Sequence, residues 1–262
     1  MMRGLLLLVL SGLLTTSAFA DWQQELSPSQ PGTFAPLRPL HAHYKFGWSF
    51  FSAAEATFDY TKAKGQMRMQ VAAKSIGMVR SMWRMDTLHV ALMQPGTLRP
   101  INVRQTETYR DRTIKTKLDF DSTGVTRLRE SDPGDGKPPK PKRYDYPNLF
   151  DLNSALHWIR SQRLANGDTY KLVVYPATAA YLAEVNVLDR QKISAAGRTW
   201  NAIRVSLKLW KINDKMELEP HRKFKNATVW VSDDTDRMLL KINTDIFVGS
   251  VWAEMDQLEF SK

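Results

Sequence analysis

The chain has 262 residues, no cysteine, and 37 basic against 27 acidic side chains. Without cysteine there is no disulfide, no thiolate nucleophile and no zinc–thiolate centre, so packing alone must hold the fold together. Hydrophobic residues make up 43% of the chain, enough for a sizeable core and too many for disorder.

Met1 to Ala20 carries Arg3, the apolar run Leu5 to Leu10 and the small-residue ending Ala18-Phe19-Ala20. That pattern reads as a cleaved secretory signal, and the run is too short for comfortable membrane spanning. No cysteine follows it to accept a lipid, so the expected product is a soluble periplasmic protein beginning near Asp21. With Arg3 removed it would carry a net charge of 36 − 27 = +9. For an exported chain the matching partners are lipid phosphates, anionic membrane surfaces or acidic glycans, and nucleic acid is not expected.

Residues 21–39 hold Pro28, Pro31, Pro36 and Pro39 and read as an extended leader. One β domain is expected from 40 to 262. Tyr44, Phe46, Trp48 and Phe50 alternate with polar or small residues, then Ala54, Ala56, Phe58 and Tyr60 do the same, which predicts a hairpin turning around Phe51 to Ala53. Alternation recurs at Met67–Ala73, Met85–Ala91, Ile101–Gln105 and Ile114–Phe120, with turn chemistry at Gly65, Pro95-Gly96 and Asp121–Gly124. Residues 131–143, SDPGDGKPPKPKR, contain nothing apolar to bury and predict an exposed basic loop. Its Lys137, Lys140, Lys142 and Arg143 are candidates for contact with an anionic surface.

Leu149, Leu152, Ala155, Leu156 and Ile159 recur at helical spacing, with Asn148 or Asp151 as cap and Asn166-Gly167 beyond the end, predicting one amphipathic helix over about 148–163. Strands resume at Tyr170–Val174, Leu182–Val187, Ile203–Leu209, Val229–Val231, Leu239–Ile242 and Val251–Met255, with Asp233–Asp236 as a solvated turn. The expected fold is mainly β: a strongly curved antiparallel sheet, half-barrel-like, with one helix covering it.

Catalytic and metal chemistry are faint. His41 and His43 would share a strand face but have no carboxylate near them in sequence, and Asp233, Asp234 and Asp236 lack the glycine and closing glutamate of a calcium loop. No serine sits in a nucleophile-elbow setting and no glycine-rich phosphate loop occurs, so neither a cofactor nor a catalytic group is read. The aromatics say more. Phe46, Trp48 and Phe50, with Trp230 and Trp252 from later strands, could line an apolar pocket on the concave face, with Met67, Met69, Met78, Met82, Met85 and Met93 as pliable lining.

The runs FDLNSALHWIRSQRLANGDTYKL, AAGRTWNAIRVSL and VWVSDDTDRMLLKINTDIFVGSVWAEM resemble the bacterial domain-of-unknown-function family numbered 3108. The marks are Asp151, Arg160, Gly197, Trp230, Asp233, Gly249 and Ser250, with Trp48 and the alanine-rich strand after it. The resemblance implies an exported protein with a curved antiparallel sheet, similar in shape to periplasmic lipoprotein carriers, although those have more than one lid helix. Two functions follow as expectations: a carrier or binding protein for a lipid, lipoprotein or other amphiphile, and a non-enzymatic scaffold in envelope biogenesis. A hydrolase is the weaker third.

Overall fold

A computed structural model of the chain describes residues 22–34, 37–63, 65–221, 226–245 and 249–261. The expected signal segment lies outside them. Two-residue alternation sets the pattern from the start: in β1 (Leu40–Trp48), Leu40, Ala42 and Tyr44 are buried while His41 and Lys45 point to water. The turn Ser49-Phe50, with Ser49 at φ 50, leads into β2 (Phe51–Ala63), so the hairpin turns two residues earlier than the alternation suggested.

There follow β3 (Gln66–Ser75), α1 (Gly77–Met82), β4 (Met85–Met93), β5 (Pro100–Tyr109), β6 (Thr113–Phe120), β7 (Gly124–Asp132), β8 (Lys142–Asp145), β9 (Leu149–Phe150) and α2 (Leu152–Ser161). The second half holds β10 (Thr169–Val174), β11 (Tyr181–Ala195), β12 (Arg198–Ile212), β13 (Leu218–Pro220), β14 (Asn226–Ser232), β15 (Leu239–Asp245) and β16 (Ser250–Phe260). All belong to one 16-stranded sheet in the order β8-β7-β6-β5-β4-β3-β2-β1-β16-β15-β14-β12-β11-β10-β9, with β13 beside β12. Every pairing is antiparallel except β9 with β10. The last long strand lies against the first, Leu40 opposite Phe260 and Trp48 opposite Val251.

The sheet curls without closing. Leu40, Tyr60, Met69, Ala91, Val103 and Leu118 from the first half share one buried cluster with Val173, Leu182, Trp200, Leu240 and Met255 from the second. Where the two ends of the sheet approach, side chains bridge the seam in place of a backbone ladder. Arg127 donates to the Tyr175 hydroxyl at 3.1 Å and to the Thr178 carbonyl at 2.8 Å, and Gln105 donates to the Pro176 carbonyl at 2.7 Å. The Tyr144 and Tyr146 rings lie 5.5 and 6.5 Å from that of Tyr175.

Helix α2 begins at Leu152 under the Asp151 cap, later than the expected start near 148: Leu149 and Phe150 form β9 against β10 instead, and Leu152 is exposed rather than part of the buried stripe. The Asp151 carboxylate accepts from the Asn153 and Ser154 amides at 2.9 and 3.2 Å, and the Ser154 hydroxyl accepts from the Asp151 amide at 3.0 Å. Its apolar stripe packs Ala155 and Trp158 with Phe150, Leu172, Val174 and Ala183. On another side the His157 ring sits 5.0 Å from that of Tyr60. The C-terminal end is held by the β14–β15 turn. Arg160, buried, donates to the Asp236 carbonyl at 3.1 and 2.9 Å, and Arg237 donates to the carbonyls of Arg160, Gln162 and Arg163. The Asp233–Asp236 segment is therefore not simply a solvated turn. Asp236 is buried where its carbonyl accepts from the Arg160 guanidinium, and Arg237 where it donates to carbonyls at the helix end that the chain would otherwise leave unpaired.

Two more features depart from the sequence expectation. The described part of the leader packs instead of extending. Trp22 is buried and donates to the Met216 carbonyl at 2.8 Å, Gln30 accepts from the Trp158 indole at 2.9 Å, and the Gly32 amide donates to the Ser161 hydroxyl at 2.9 Å. Gly32 suits that crossing, since a Cβ there would stand 2.2 Å from the Ser161 carbonyl oxygen. The second feature is α1. It is a six-residue helix with no buried side chain, which no apolar period announces.

Two predictions follow from α2. Asp151→Ala should lower unfolding stability by about 1–2 kcal/mol, the usual worth of a lost N-cap, in a denaturant titration, with Asp151→Asn recovering most of it. Burial pushes His157 down to about 3 from 6.5, helped by Arg160 and Lys62, and neither ring nitrogen has a hydrogen-bond partner. The unfolded chain thus binds a proton that the folded state refuses, and stability should fall as pH drops from about 6.5 towards 3. Burial raises Asp151, which acts with the opposite sign, so comparison with His157→Phe isolates the histidine. That variant should show a flatter stability–pH curve over this window, and an unchanged slope would refute the assignment.

Candidate functional site

Antiparallel register decides which connections leave the same end of the sheet. Trp48 pairs with both Phe51 and Val251, Ala54 with Ser75, Met85 with Tyr109, and Thr113 with both Thr108 and Asp132. The turn 49–50, the segment 76–84 that contains α1, the turn 110–112 and the loop 133–141 therefore all emerge at one rim.

This rim exposes large apolar side chains. Phe50 at the turn tip is 98% exposed, and Trp48, Phe51, Met78, Met82 and Trp83 are each about half exposed or more. The local chemistry explains why. Helix α1 is anchored through its polar side: Arg80 makes a two-point ion pair with Asp86 at 2.8 and 3.0 Å and donates to the Ser75 carbonyl at 3.2 Å. The Ile76 amide donates to the Ala53 carbonyl at 3.0 Å, tying α1 to β2. With these polar contacts holding the helix, Met78 and Met82 are left exposed.

Two depressions flank α1. One of about 330 Å³ is lined by Met82, Trp83, Arg84, Tyr109, Arg110, Asp111 and Arg112. The other, about 610 Å³ and more open, touches Gly77, Arg80, Ser81, Arg84 and Arg110. The Trp83 and Tyr109 rings lie 6.3 Å apart, and the Arg112 guanidinium sits 5.6 Å from the Tyr109 ring. Asp86 is committed: its hydrogen bonds with Arg80, then with Arg84, hold its carboxyl below the usual carboxylate range. Among the described residues, Arg110 and Arg112 form no ion pair with a carboxylate.

The aromatic residues singled out from the sequence separate. Trp48 and Phe50 stand at the rim. Trp252 supports it from behind: its indole occupies the space where a Cβ on Gly47 would lie, 2.1 Å away, and it donates to the Ser49 carbonyl at 3.0 Å. Phe46 and Trp230 pack against the main cluster. Trp230 does not reach the rim: it pairs with Lys241, which pairs with Glu254 and so with Lys45. Phe150, Trp158 and Leu172 fill the contact between helix and sheet.

The basic candidates separate too. Lys137, Lys140 and Lys142 are exposed, whereas Arg143 is held by Asp121 at 2.5 and 2.8 Å and Asp145 at 2.7 Å, which places the Asp121 carboxyl far below its usual range. His41 and His43 acquire carboxylate neighbours from paired strands, Asp59 at 2.7 Å and Asp256 at 3.2 Å. Among the described residues no group of three or more His, Asp or Glu is arranged to hold a metal ion.

Sequence reasoning missed Phe51, Trp83, Arg84, Arg110 and Arg112. The available signal was the run RSMWRMD, Arg80 to Asp86, with the quartet Tyr109-Arg110-Asp111-Arg112: aromatic and basic residues crowded where strand alternation stops.

A comparison with curated proteins finds no match. Among solved structures, the chain is similar to a β-barrel-like protein of the domain of unknown function DUF1849 from Brucella abortus. The TM-score is 0.60 at 8% identity, covering 87% of this chain and 100% of that one, so the likeness concerns the fold alone. A "putative lipoprotein" from Parabacteroides distasonis (TM-score 0.33, 7% identity, 88% and 99% covered) and a "putative exported protein with YmcC-like fold" from Bacteroides fragilis (0.31, 7%, 87% and 99%) are looser likenesses that carry no weight. The model of the family described as "Protein of unknown function (DUF3108)" matches residues 42–256, and the chain belongs to that family.

Proposed function

We propose that this chain is an exported, non-enzymatic binding protein of the periplasm that engages a lipid, a lipoprotein's acyl chains or another amphiphilic envelope component, and does so at the rim. One observation carries the reading: Trp48, Phe50, Phe51, Met78, Met82 and Trp83 stand exposed together at one end of a sheet whose buried face gathers its own side chains into one cluster. Exposed apolar patches of this kind mark interaction sites more often than idle surface. Methionine and aromatic side chains suit acyl groups of varied length, because thioethers and rings adapt at little entropic cost.

The apolar opening of the sequence supports export, and among the described residues no helix is long and apolar enough to cross a membrane. The aromatics expected to line one concave pocket are divided between the main cluster and the rim, and α2 packs Trp158 and Ala155 against the sheet, so the acyl chain is assigned to the rim instead.

The test uses a fluorescent lysophosphatidylcholine, which has an acyl chain and no net charge. The purified chain should bind it saturably, and Phe50→Ser combined with Met82→Ser should weaken binding about tenfold, roughly 1.4 kcal/mol. Because both side chains are exposed, thermal stability should be almost unchanged. Equal binding by the variant would overturn the reading. In that event, trapping of one dominant protein by cross-linking in cells would favour the scaffold.

A further inference from the structure

We infer that the whole rim is a docking face for an anionic lipid bilayer, an inference that rests on the amphiphile reading and adds the partner surface. Its basis is a juxtaposition made only by the fold. The basic loop leaves β7 after Asp132, and Asp132 lies opposite Thr113, which lies opposite Thr108, next to Tyr109. The loop and the aromatic rim therefore belong to the same end of the molecule.

Following the strand order, an apolar arc is succeeded by a cationic one. Trp48, Phe50 and Phe51 come from the β1–β2 turn, and Met78, Met82 and Trp83 from the α1 segment. Arg84, Arg110 and Arg112 come next, then Lys137 and Lys140 of the loop, whereas Lys142 opens β8 opposite Arg127, five residues back from the rim. The acidic residues among them do not cancel this charge. Asp86 is taken by Arg80 and Arg84, while Asp111, Asp132 and Asp135 stand against Arg110, Arg112, Lys137 and Lys140, which leaves the arc net positive.

The chemistry of this arrangement matches a bilayer surface. Rings and thioethers partition into the boundary between headgroups and acyl chains, and long basic side chains reach the phosphate plane. Cations spread along a loop and a strand end suit a field of mobile headgroups better than one fixed carboxylate, because no single geometry has to be met. In the loop, Pro138 and Pro139 stand between Lys137 and Lys140, which keeps their ammonium groups apart. Attraction of this kind is screened by salt within about 10 Å at 0.1 M, so docking should weaken as ionic strength rises.

Flotation with vesicles tests the assignment. The purified chain should bind vesicles containing phosphatidylglycerol at least tenfold more tightly than vesicles of phosphatidylcholine alone, with a preference that declines in high salt. Replacing Lys137 and Lys140 with alanine should reduce phosphatidylglycerol binding about 25-fold, at about fivefold per charge, and leave lysophosphatidylcholine binding unchanged. Arg110→Ala with Arg112→Ala should act in the same direction. A titration with inorganic phosphate should show no saturable binding; tight binding of the free ion would overturn the bilayer assignment in favour of a soluble anion.

Equal binding to the two vesicles, or lysine variants that bind as the parent does, would overturn the docking face while the amphiphile reading stands. Lysine-dependent vesicle binding without any lysophosphatidylcholine binding would overturn the amphiphile reading alone. A chain that ignores both vesicles would overturn the proposal and leave this face to a protein partner.

Discussion

A single sheet that must bury one face without disulfides has to roll up on itself, and everything else in this molecule follows from how that roll is filled. The interior takes Tyr60, Met67, Met93, Leu118, Tyr175 and Met255 into one cluster, and α2 brings Trp158 and Phe150 into a second. Seam residues Arg127, Gln105, Tyr144 and Tyr175 then join the two ends through side chains. With that space given over to the protein's own clusters, the proposed ligand is assigned to where strands end rather than where they pack. The exposed rim and the buried clusters are thus two consequences of one constraint.

The residues that mark the family describe the roll more than any chemistry. Asp151 caps α2 and Arg160 fastens it to Asp236. Gly197, at φ +69, turns the long β11–β12 hairpin, and Gly249, at φ +78, crosses Ser49 and Trp48 so closely that a Cβ would stand 2.2 Å from the serine hydroxyl. Asp233 accepts from Arg190 at 3.1 Å. Trp230 packs against the main cluster. Such positions specify a fold rather than a chemistry, and a fold alone does not fix a function.

Local signals carried the sequence reading well. The alternation Tyr44-Phe46-Trp48 and its successors gave strands, and the 3.6-residue stripe with Asp151 at its head gave α2. Both are properties of neighbouring residues, so a single sequence contains them. Helix α1 escaped because it buries nothing and needs no apolar period. Packing of the Pro-rich leader escaped because it depends on Ser161 and Met216, more than a hundred positions away. The candidate site was legible only in fragments. Trp48, Phe50 and the basic loop could be named, but their meeting with Trp83 and Arg110 depends on the register of seven successive strands, and register is a long-range property.

Placement of the amphiphile at the rim rather than within the roll is the claim on which the functional account stands. A photoactivatable phospholipid, cross-linked to the protein and mapped by peptide mass spectrometry, addresses it directly. The account predicts adducts on the segments around Phe50 and on Met78 to Arg84. Adducts concentrated on Phe150, Trp158 and Leu172, between helix and sheet, would contradict it.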